Sequence, residues 1–249
     1  MPQFLINSKD VADGKVVICD KENYVHIAKS LRVKTGEKLL LIDENQIQYE
    51  TEVEAVTNNE IVTIVKNSYK SNRKLDFNLY LAQTPLRSDA QNFIIEKATE
   101  LGVDGVYPVL SDNCALNRSV IEKKIPKWQR IMYESFKQCE RAYVPKCFGI
   151  MSLQNIIDMK NDGYKVIAFC ERCSDETLHQ YCSKNPIMKN DKLVVIIGPE
   201  GGFSDKEFEL LKKNNLPMLT LGDLILRAET AVVVALGNII YEYENYRKN

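Results

Sequence analysis

The sequence predicts an α/β protein in which a small N-terminal β-barrel precedes a mostly parallel sheet covered by helices on both faces. Two observations lead to this fold class. Residues 1–72 contain several short strand-like segments and one short helical pattern, which is typical of a small barrel. From residue 75 onward, apolar strands alternate with helical patterns, as in parallel sheets whose crossovers are helices. The 249 residues are enough for two ordinary domains.

The predicted strands of the N-terminal part have apolar or alternating patterns and cover residues 38–42, 46–56 and 61–65. Between the first residues and these strands, residues 24–33 carry apolar side chains at helical spacing. The segment 68–74 is polar and has no apolar period. We therefore predict a domain boundary there, which separates residues 1–72 from residues 73–249.

Strands and helices alternate after this boundary. The predicted strands are residues 75–83, 106–110, 164–170, 193–197 and 218–221. The predicted helices are residues 89–101, 126 to about 141, 153–159, 208–213 and 228 to about 246. The helix predicted from residue 126 to about 141 is expected to begin at Pro126. Proline suits the first turn of a helix, where its missing N–H costs nothing.

Composition and charge exclude several classes of protein. The 33 Lys and Arg residues nearly balance the 34 Asp and Glu residues, which excludes binding of nucleic acid through bulk positive charge but not through a local basic face. Seven scattered cysteines favour a reducing compartment. The first residues do not resemble a signal peptide, and the longest apolar run is far too short to span a bilayer. We expect a cytoplasmic protein with no membrane partner.

A glycine-rich loop after a buried strand is the first candidate site. In LVVIIGPEGGFSDKEFELLKK (residues 193–213), the loop at 198–202 precedes a capping box formed by Ser204 and Glu207. Ligands of α/β sheets bind beyond the carboxyl ends of strands, and adjacent glycines allow close approach of the backbone. The loop matches no phosphate-binding motif, and Glu200 would repel phosphate. A neutral or cationic ligand fits better, and the alternative is a tight turn.

The second candidate is the segment LTLGDLILRAETA at residues 219–231. Glu229 suits the N-terminus of the last helix, where the helix dipole favours anions, but Arg227 does not. Arg227 could be held by a salt bridge to Glu229 or to a loop carboxylate. If Arg227 has a catalytic function instead, it would be a cation placed near negative charge that develops during the reaction.

A basic stripe is the third candidate. Four cations share one face of the helix after Pro126, namely Lys127, Arg130, Lys137 and Arg141. Such a stripe can follow a phosphate backbone, whereas a solvated helix face is the common alternative. Cys170 and Cys173 form a C-x-x-C motif without the context of a zinc or redox site. His26 is interpreted as a structural or surface residue.

Several segments together resemble one known family. GPEGGFS at 198–204 and LGDLILRAETA at 221–231 are similar to the ribosomal RNA small subunit methyltransferase E family, which comprises uridine-N3 methyltransferases of the SPOUT (α/β-knot) superfamily. Further matching segments, in the same order and spacing, are HIAKSLRVKTGEKL at 26–39, EKATELGV at 96–103 and KWQRIMYESFKQCERAYVP at 127–145. The resemblance covers nearly the whole chain.

This resemblance implies a fold, a donor and a substrate. Residues 1–72 would form a PUA-like, RNA-binding β-barrel, and residues 73–249 a SPOUT methyltransferase domain with a trefoil knot. The methyl donor would be S-adenosylmethionine, without a metal. The protein would be a homodimer that methylates N3 of one uridine of 16S rRNA within the small ribosomal subunit. Another RNA, such as tRNA or large-subunit rRNA, and a non-catalytic RNA-binding role remain alternatives.

The resemblance also implies roles for individual residues. The donor pocket would be lined by Ile197, Gly198, Pro199, Glu200, Gly201, Gly202, Leu221, Gly222, Ile225, Leu226 and Arg227. RNA would be bound by Arg32, Lys127, Arg130 and Arg141. Arg227 would stabilise the uracil anion, Glu229 would orient Arg227 or accept the proton, and Arg141 is the next catalytic candidate.

The chain departs from the family pattern at a few positions. The family often has a basic residue where this chain has Leu224, Arg where it has Gln3, and Thr where it has Ala228. The basic turn that usually follows the first strand of the catalytic domain is here Pro-Leu-Arg-Ser at residues 85–88.

Overall fold

The computed structural model describes residues 3–170 and 176–248, which divide into two compact units. One unit contains the chain up to Lys74 together with Phe136–Val144, and the other contains Leu75–Ser135 and the chain from Pro145 onward. The sequence gives no indication that residues 136–144 belong with the N-terminal part. That residues 1–72 and 73–249 are separate domains stays a prediction.

The first unit is built on a mixed sheet. Its described strands are β1 (Gln3–Ile6), β2 (Val11–Ala12), β3 (Lys15–Ile18), β4 (Lys38–Asp43), β5 (Ile47–Val56) and β6 (Ile61–Lys70). They pair in the order β1-β4-β5-β6-β3-β2, with β1 and β4 parallel and the other pairs antiparallel. Helix α1 (Lys21–Tyr24) continues as a π-helical segment, Val25–Ser30. The apolar core of this unit includes Phe4, Ile27, Leu41, Val53 and Ile61.

The second unit is built on a parallel sheet. Its described strands are β7 (Asn78–Gln83), β8 (Gly105–Leu110), β9 (Lys146–Cys147), β10 (Met151–Ser152), β11 (Lys165–Phe169), β12 (Glu176–Thr177), β13 (Lys192–Ile197) and β14 (Met218–Thr220). The strand order is β10-β8-β7-β13-β11-β14-β12, and β9 pairs with β8. Every pairing within the described part of this sheet is parallel.

Helices cover both faces of this sheet, as predicted. The remaining described helices are α2 (Ser88–Glu100), α3 (Arg118–Cys139), α4 (Leu153–Asp158), α5 (Leu178–Lys184), α6 (Asp205–Lys213) and α7 (Ala228–Lys248). Alternate residues of β13 point to opposite faces, so Val195 belongs to a core with Trp128 and Leu236, and Val194 belongs to a core with Leu211. Burial on both faces explains the continuous apolar sequence of β13.

The start of α3 differs from the prediction. The helix begins at Arg118, not at Pro126, and it ends at Cys139. The side chain of Asn117 accepts a hydrogen bond from the Val120 N–H (3.0 Å), which is the usual arrangement of an N-cap. Pro126 lies inside the helix, where proline costs about 3 kcal/mol. Burial of Ile121 before Pro126 favours a helix that extends across the proline.

The other deviations are small. The prediction missed the two-residue strands β9, β10 and β12. It also missed the short helix α5, which begins at a capping box formed by Thr177 and Gln180. The remaining predicted strands and helices of the second unit are present, with ends shifted by up to three residues. None of the described helices has the length and apolarity needed to cross a membrane.

Candidate active site

A pocket of about 690 Å³ lies at the carboxyl ends of β11, β13 and β14. Two loops enclose most of it: the first loop, residues 198–203 after β13, and the second loop, residues 221–227 after β14. Further lining residues come from the end of β11 (Phe169 and Cys170), from α2 (Ala90) and from the starts of α6 and α7. The pocket thus combines the two segments that the sequence identified separately, and its position agrees with the rule for ligand sites in α/β sheets.

The first loop is held in place by the start of α6. The predicted capping box is present: Ser204 Oγ accepts a hydrogen bond from the Glu207 N–H (3.2 Å), and Glu207 Oε2 accepts one from the Ser204 N–H (2.8 Å). The other oxygen of the buried Glu207 carboxylate accepts a bond from the Asp112 N–H (3.1 Å). Ser204 Oγ donates to Asp112 Oδ2 (2.6 Å). The turn after β8 therefore fixes the end of the first loop.

Backbone conformation and close packing explain why the first loop contains glycines. Gly202 has a φ of +71°, which favours glycine, and its N–H donates to the Pro199 carbonyl (2.9 Å). Asn113 Nδ2 donates to the Gly202 carbonyl (3.0 Å). A Cβ at Gly198 would lie 3.2 Å from the ring of Phe203, so the strand end and this ring pack closely. The exposed Glu200 is the acidic group of the loop.

Cys114 lies in the same turn after β8 that contacts the first loop. Its Sγ is 3.7 Å from the Pro85 carbonyl oxygen. Burial raises the pKa of the Cys114 thiol, and the nearby negative charge of Glu200 raises it further. This thiol is therefore protonated at neutral pH, and no sequence motif singles it out.

The second loop is more exposed. Thr220 Oγ1 accepts a hydrogen bond from the Gly222 N–H and donates to the Gly222 carbonyl, both at 3.0 Å. Gly222 has a φ of +122°, which side chains rarely adopt. Leu224 and Ile225 follow, with 80% and 68% of their surfaces exposed. The Arg227 carbonyl accepts a bond from the Ala231 N–H (2.8 Å), which begins α7.

Arg227 and Glu229 both line the pocket. Arg227 is exposed, and it forms no ion pair with any residue that the structure describes. The alternative of a salt bridge between Arg227 and Glu229 is therefore wrong for this structure. A cation at the rim of the pocket without a carboxylate partner is available to bind an anionic group.

The predicted basic stripe is not a continuous exposed face. Lys127 and Arg130 are exposed, but Lys137 is buried with its Nζ 3.4 Å from Nδ1 of His26. Arg141 lies beyond the end of α3, is only 5% exposed, and has its guanidinium carbon 5.3 Å from the ring centre of Tyr143. Long-range packing buries the last two cations, so the expected exposed stripe is interrupted, and the RNA-binding role of Arg141 stays a prediction. Lys127 and Arg130 are therefore the exposed pair of this stripe.

The other residues that the sequence analysis singled out lie in different parts of the chain. Arg32 is exposed and has a φ of +55°. Gln3 is fully buried, and its Nε2 donates to the carbonyls of Phe136 (3.4 Å) and Arg141 (2.6 Å). Gln3 therefore has a structural role within the first unit. Cys173 lies outside the described residues, and among the described residues no group of three or more His, Cys, Asp and Glu is placed to hold a metal ion.

Comparisons with known proteins identify the class. A model of the RNA methyltransferase domain matches residues 73–240, and a model of the RNA methyltransferase PUA domain matches residues 18–66. The chain is therefore an RNA methyltransferase with an N-terminal PUA domain, which confirms the predicted fold class.

The particular family follows from the relatives. The chain is 30% identical over 242 residues to ribosomal RNA small subunit methyltransferase E of Mesomycoplasma hyopneumoniae, covering 96% of this chain and 99% of the relative. It is 27% identical over 230 residues to the protein of the same name from Bacillus subtilis, covering 91% and 90%. The chain belongs to the ribosomal RNA small subunit methyltransferase E family.

A solved structure shares the fold. Ribosomal RNA small subunit methyltransferase E from Neisseria gonorrhoeae, crystallised bound to S-adenosyl methionine, is 23% identical and has a TM-score of 0.80, with 97% of each chain covered. This similarity supports the architecture of both units.

Proposed function

We propose that this protein transfers a methyl group from S-adenosylmethionine to N3 of a uridine of 16S rRNA. The observation that carries the proposal is the pocket itself: two loops at the carboxyl ends of a parallel sheet enclose about 690 Å³ and bring Arg227 to the rim. Its volume lies in the range of sites for small molecules and cofactors. Family membership supports rRNA of the small subunit as the substrate.

The lining of the pocket fits S-adenosylmethionine. The Glu200 carboxylate suits the positive charge of a sulfonium or of an amino group, and the pocket has no match to a phosphate-binding loop. Backbone N–H and C=O groups of the two loops would hold the polar groups of the donor, and Phe169, Leu226 and Ala231 offer apolar contacts. The predicted donor-binding residues of both loops thus lie around one cavity.

The chemistry requires a cation more than it requires a strong base. S-adenosylmethionine supplies an electrophilic methyl group. Uracil N3 carries a proton and becomes a good nucleophile only when that proton leaves, which places negative charge on the carbonyl oxygens. Arg227 would stabilise this anion, and Glu229 would orient Arg227 or accept the proton. The rest of the rate would come from alignment of the reacting atoms within the pocket.

Arg141 is the weaker catalytic candidate in this arrangement. Its side chain is buried in the first unit, over the ring of Tyr143. The exposed cations Arg32, Lys127 and Arg130 are better placed to bind phosphates of the rRNA.

The remaining parts of the proposal concern assembly and location. We propose a homodimer, in which the exposed second loop would lie near a partner subunit, and a cytoplasmic protein that acts on the small ribosomal subunit. The reducing compartment inferred from the scattered cysteines supports this location. The trefoil knot remains a prediction.

Methyl transfer with labelled S-adenosylmethionine tests the proposed function. The acceptors are small ribosomal subunits from cells that lack the modification, with naked rRNA and tRNA in parallel, followed by nucleoside analysis. Labelled 3-methyluridine in the small subunit is the expected result. Label in tRNA or in another nucleoside would contradict the proposed substrate. Donor binding without any transfer would favour a non-catalytic RNA-binding role.

A further inference from the structure

Four aromatic side chains cluster on one face of the parallel sheet, in its amino-terminal half: Tyr80 and Tyr107 are the third residues of β7 and β8, Phe148 follows β9, and Tyr164 precedes β11. This aromatic platform consists of Tyr80, Tyr107, Phe148 and Tyr164. The rings of Tyr107 and Phe148 are stacked, with centres 4.2 Å apart and planes 13° apart. The ring centre of Tyr80 lies 6.4 Å from that of Phe148 and 5.7 Å from that of Tyr164. All but the buried Tyr107 are partly exposed.

A glycine makes room for this arrangement. A Cβ on Gly105, the first residue of β8, would overlap the ring of Phe148 and would lie 2.8 Å from the Lys146 carbonyl oxygen. The ring of Phe148 is therefore seated against the backbone of β8 while Tyr107 covers one of its faces. The platform is a defined structural feature and not a chance grouping of surface rings.

Two exposed lysines lie over the outer rings. Lys146 Nζ is 5.0 Å from the ring centre of Phe148, and Lys192 Nζ is 5.0 Å from that of Tyr164. Neither lysine forms an ion pair with any part of the chain that the structure describes. Cation–π contacts at exposed sites are weak, so a ligand can displace both ammonium groups from the rings.

The acidic groups near the platform are already bonded. Asp104 Oδ2 accepts a hydrogen bond from the Leu79 N–H (2.7 Å), and Asp191 pairs with Lys165 (2.6 Å). Burial, with a smaller contribution from the charge of Asp104, raises the pKa of Tyr80 to about 12, so its ring is neutral at physiological pH. The surface therefore offers aromatic rings beside two lysines that no described carboxylate pairs with.

Flat aromatic rings beside exposed cations are the features that bind single-stranded nucleic acid. Bases stack on aromatic rings, and lysines bind the phosphates between them. We infer that the aromatic platform, together with Lys146 and Lys192, is a second RNA-binding surface on which unpaired bases stack while the two ammonium groups move from the rings to phosphates. That the ligand is RNA rests on the proposed function.

The distance from the pocket defines what this surface would do. Tyr164 precedes β11, and the five residues of that strand lead to the pocket, which corresponds to about 17 Å. The platform would therefore hold a flanking unpaired segment of the substrate RNA and not the nucleotide that is methylated.

Binding of a fluorescently labelled single-stranded oligoribonucleotide to the full chain tests this inference, with affinity measured across a series of salt concentrations. In the double variant Lys146→Gln, Lys192→Gln we expect about tenfold weaker binding. The dependence of log affinity on log salt should become shallower by about 1.4, because each single-strand phosphate contact contributes about 0.7. The matched control is the double variant Lys213→Gln, Lys248→Gln, which removes two exposed lysines that do not belong to the platform.

A second variant separates stacking from charge. Tyr164→Leu keeps an apolar side chain but removes the ring, so we expect about tenfold weaker binding with an unchanged salt dependence. Thermal unfolding establishes that each variant is folded. The inference is overturned if the lysine double variant binds like its control, or if folded Tyr164→Leu binds like the wild type.

Failure of the inference can be distinguished from failure of the proposed function. If the wild type methylates rRNA but the platform variants bind RNA normally, the second surface is disproved and the enzymatic role stands. If the wild type methylates no RNA but the platform variants weaken RNA binding as expected, the surface is supported and the enzymatic role is disproved.

Discussion

The two loops that enclose the pocket are built in different ways. The first loop ends at a capping box, is bonded to Asn113, and packs the ring of Phe203 against Gly198. The second loop exposes Leu224 and Ile225 and, among the described residues, its hydrogen bonds are local ones at its two ends. One wall of the pocket is thus fixed by contacts with distant parts of the chain, and the other is not.

This difference suggests a division of work between the loops. Segments with few buried contacts have low local stability and can adjust when a ligand binds. The first loop is preorganised to receive the donor, whereas the second loop would close over donor and target base and bring Arg227 into place. The following substitutions test this division, in order of decreasing expected effect.

Arg227→Ala should have the largest effect. We expect methyl transfer to small subunits to fall by about 10²- to 10³-fold, because a preorganised cation near the developing charge is lost. Donor affinity should stay within about threefold of the wild type, since the first loop is intact. Parallel measurements of turnover and of donor binding check both parts. Near-normal turnover in this variant would refute the catalytic role of Arg227.

Glu207→Ala should release the first loop. The substitution leaves the N–H groups of Asp112 and Ser204 without their acceptor, so we expect a loss of about 2–3 kcal/mol in the free energy of unfolding. Donor affinity should fall about tenfold. Denaturant unfolding and donor titration measure the two effects. Glu207→Gln is the milder comparison variant. Unchanged donor binding by a folded Glu207→Ala variant would argue against preorganisation of the first loop.

Gly198→Ala should have an intermediate effect. The new Cβ would press on the ring of Phe203, so we expect about fivefold weaker donor binding. Gly149→Ala is the matched control, because a Cβ there meets nothing within 4 Å. Equal donor affinities for the two variants would show that the contact between Gly198 and Phe203 does not shape the pocket.

Leu224→Ala should have the smallest effect on stability. The side chain is 80% exposed, so the free energy of unfolding should change by less than about 0.5 kcal/mol. Donor affinity should fall only slightly. Thermal unfolding at low and high protein concentration measures the effect. The small effect is expected at low concentration, and a loss only at high concentration would mean that a second subunit covers Leu224, as in the proposed dimer. A clear loss at low concentration would contradict the exposure of Leu224 within one subunit.

Much of the fold could be predicted because its signals are local. The continuous apolar segment at 193–197 identifies β13, and the spacing of Ser204 and Glu207 identifies the start of α6 within a few residues. Both depend on neighbours in the sequence. The two loops could likewise be recognised as candidate ligand sites, because each contains glycine and follows a strand.

What could not be predicted depends on long-range contacts. The bonds of Asp112 to the capping box and of Asn113 to the first loop join residues about 90 positions apart. The burial of Lys137 and Arg141 follows from packing of residues 136–144 with the N-terminal part of the chain. Helical spacing alone places these two cations on the same face as Lys127 and cannot show which members of the stripe are covered. Tertiary packing decides that question.

Hydrogen exchange with and without S-adenosylmethionine tests the central claim most directly, namely that the two loops form the donor site with one fixed and one adjustable wall. We predict that amides of residues 221–227 exchange rapidly in the free protein and become strongly protected with donor. Amides of residues 198–204 should be protected already and change little. Donor binding that leaves both loops unchanged, or that protects another region, would contradict the account.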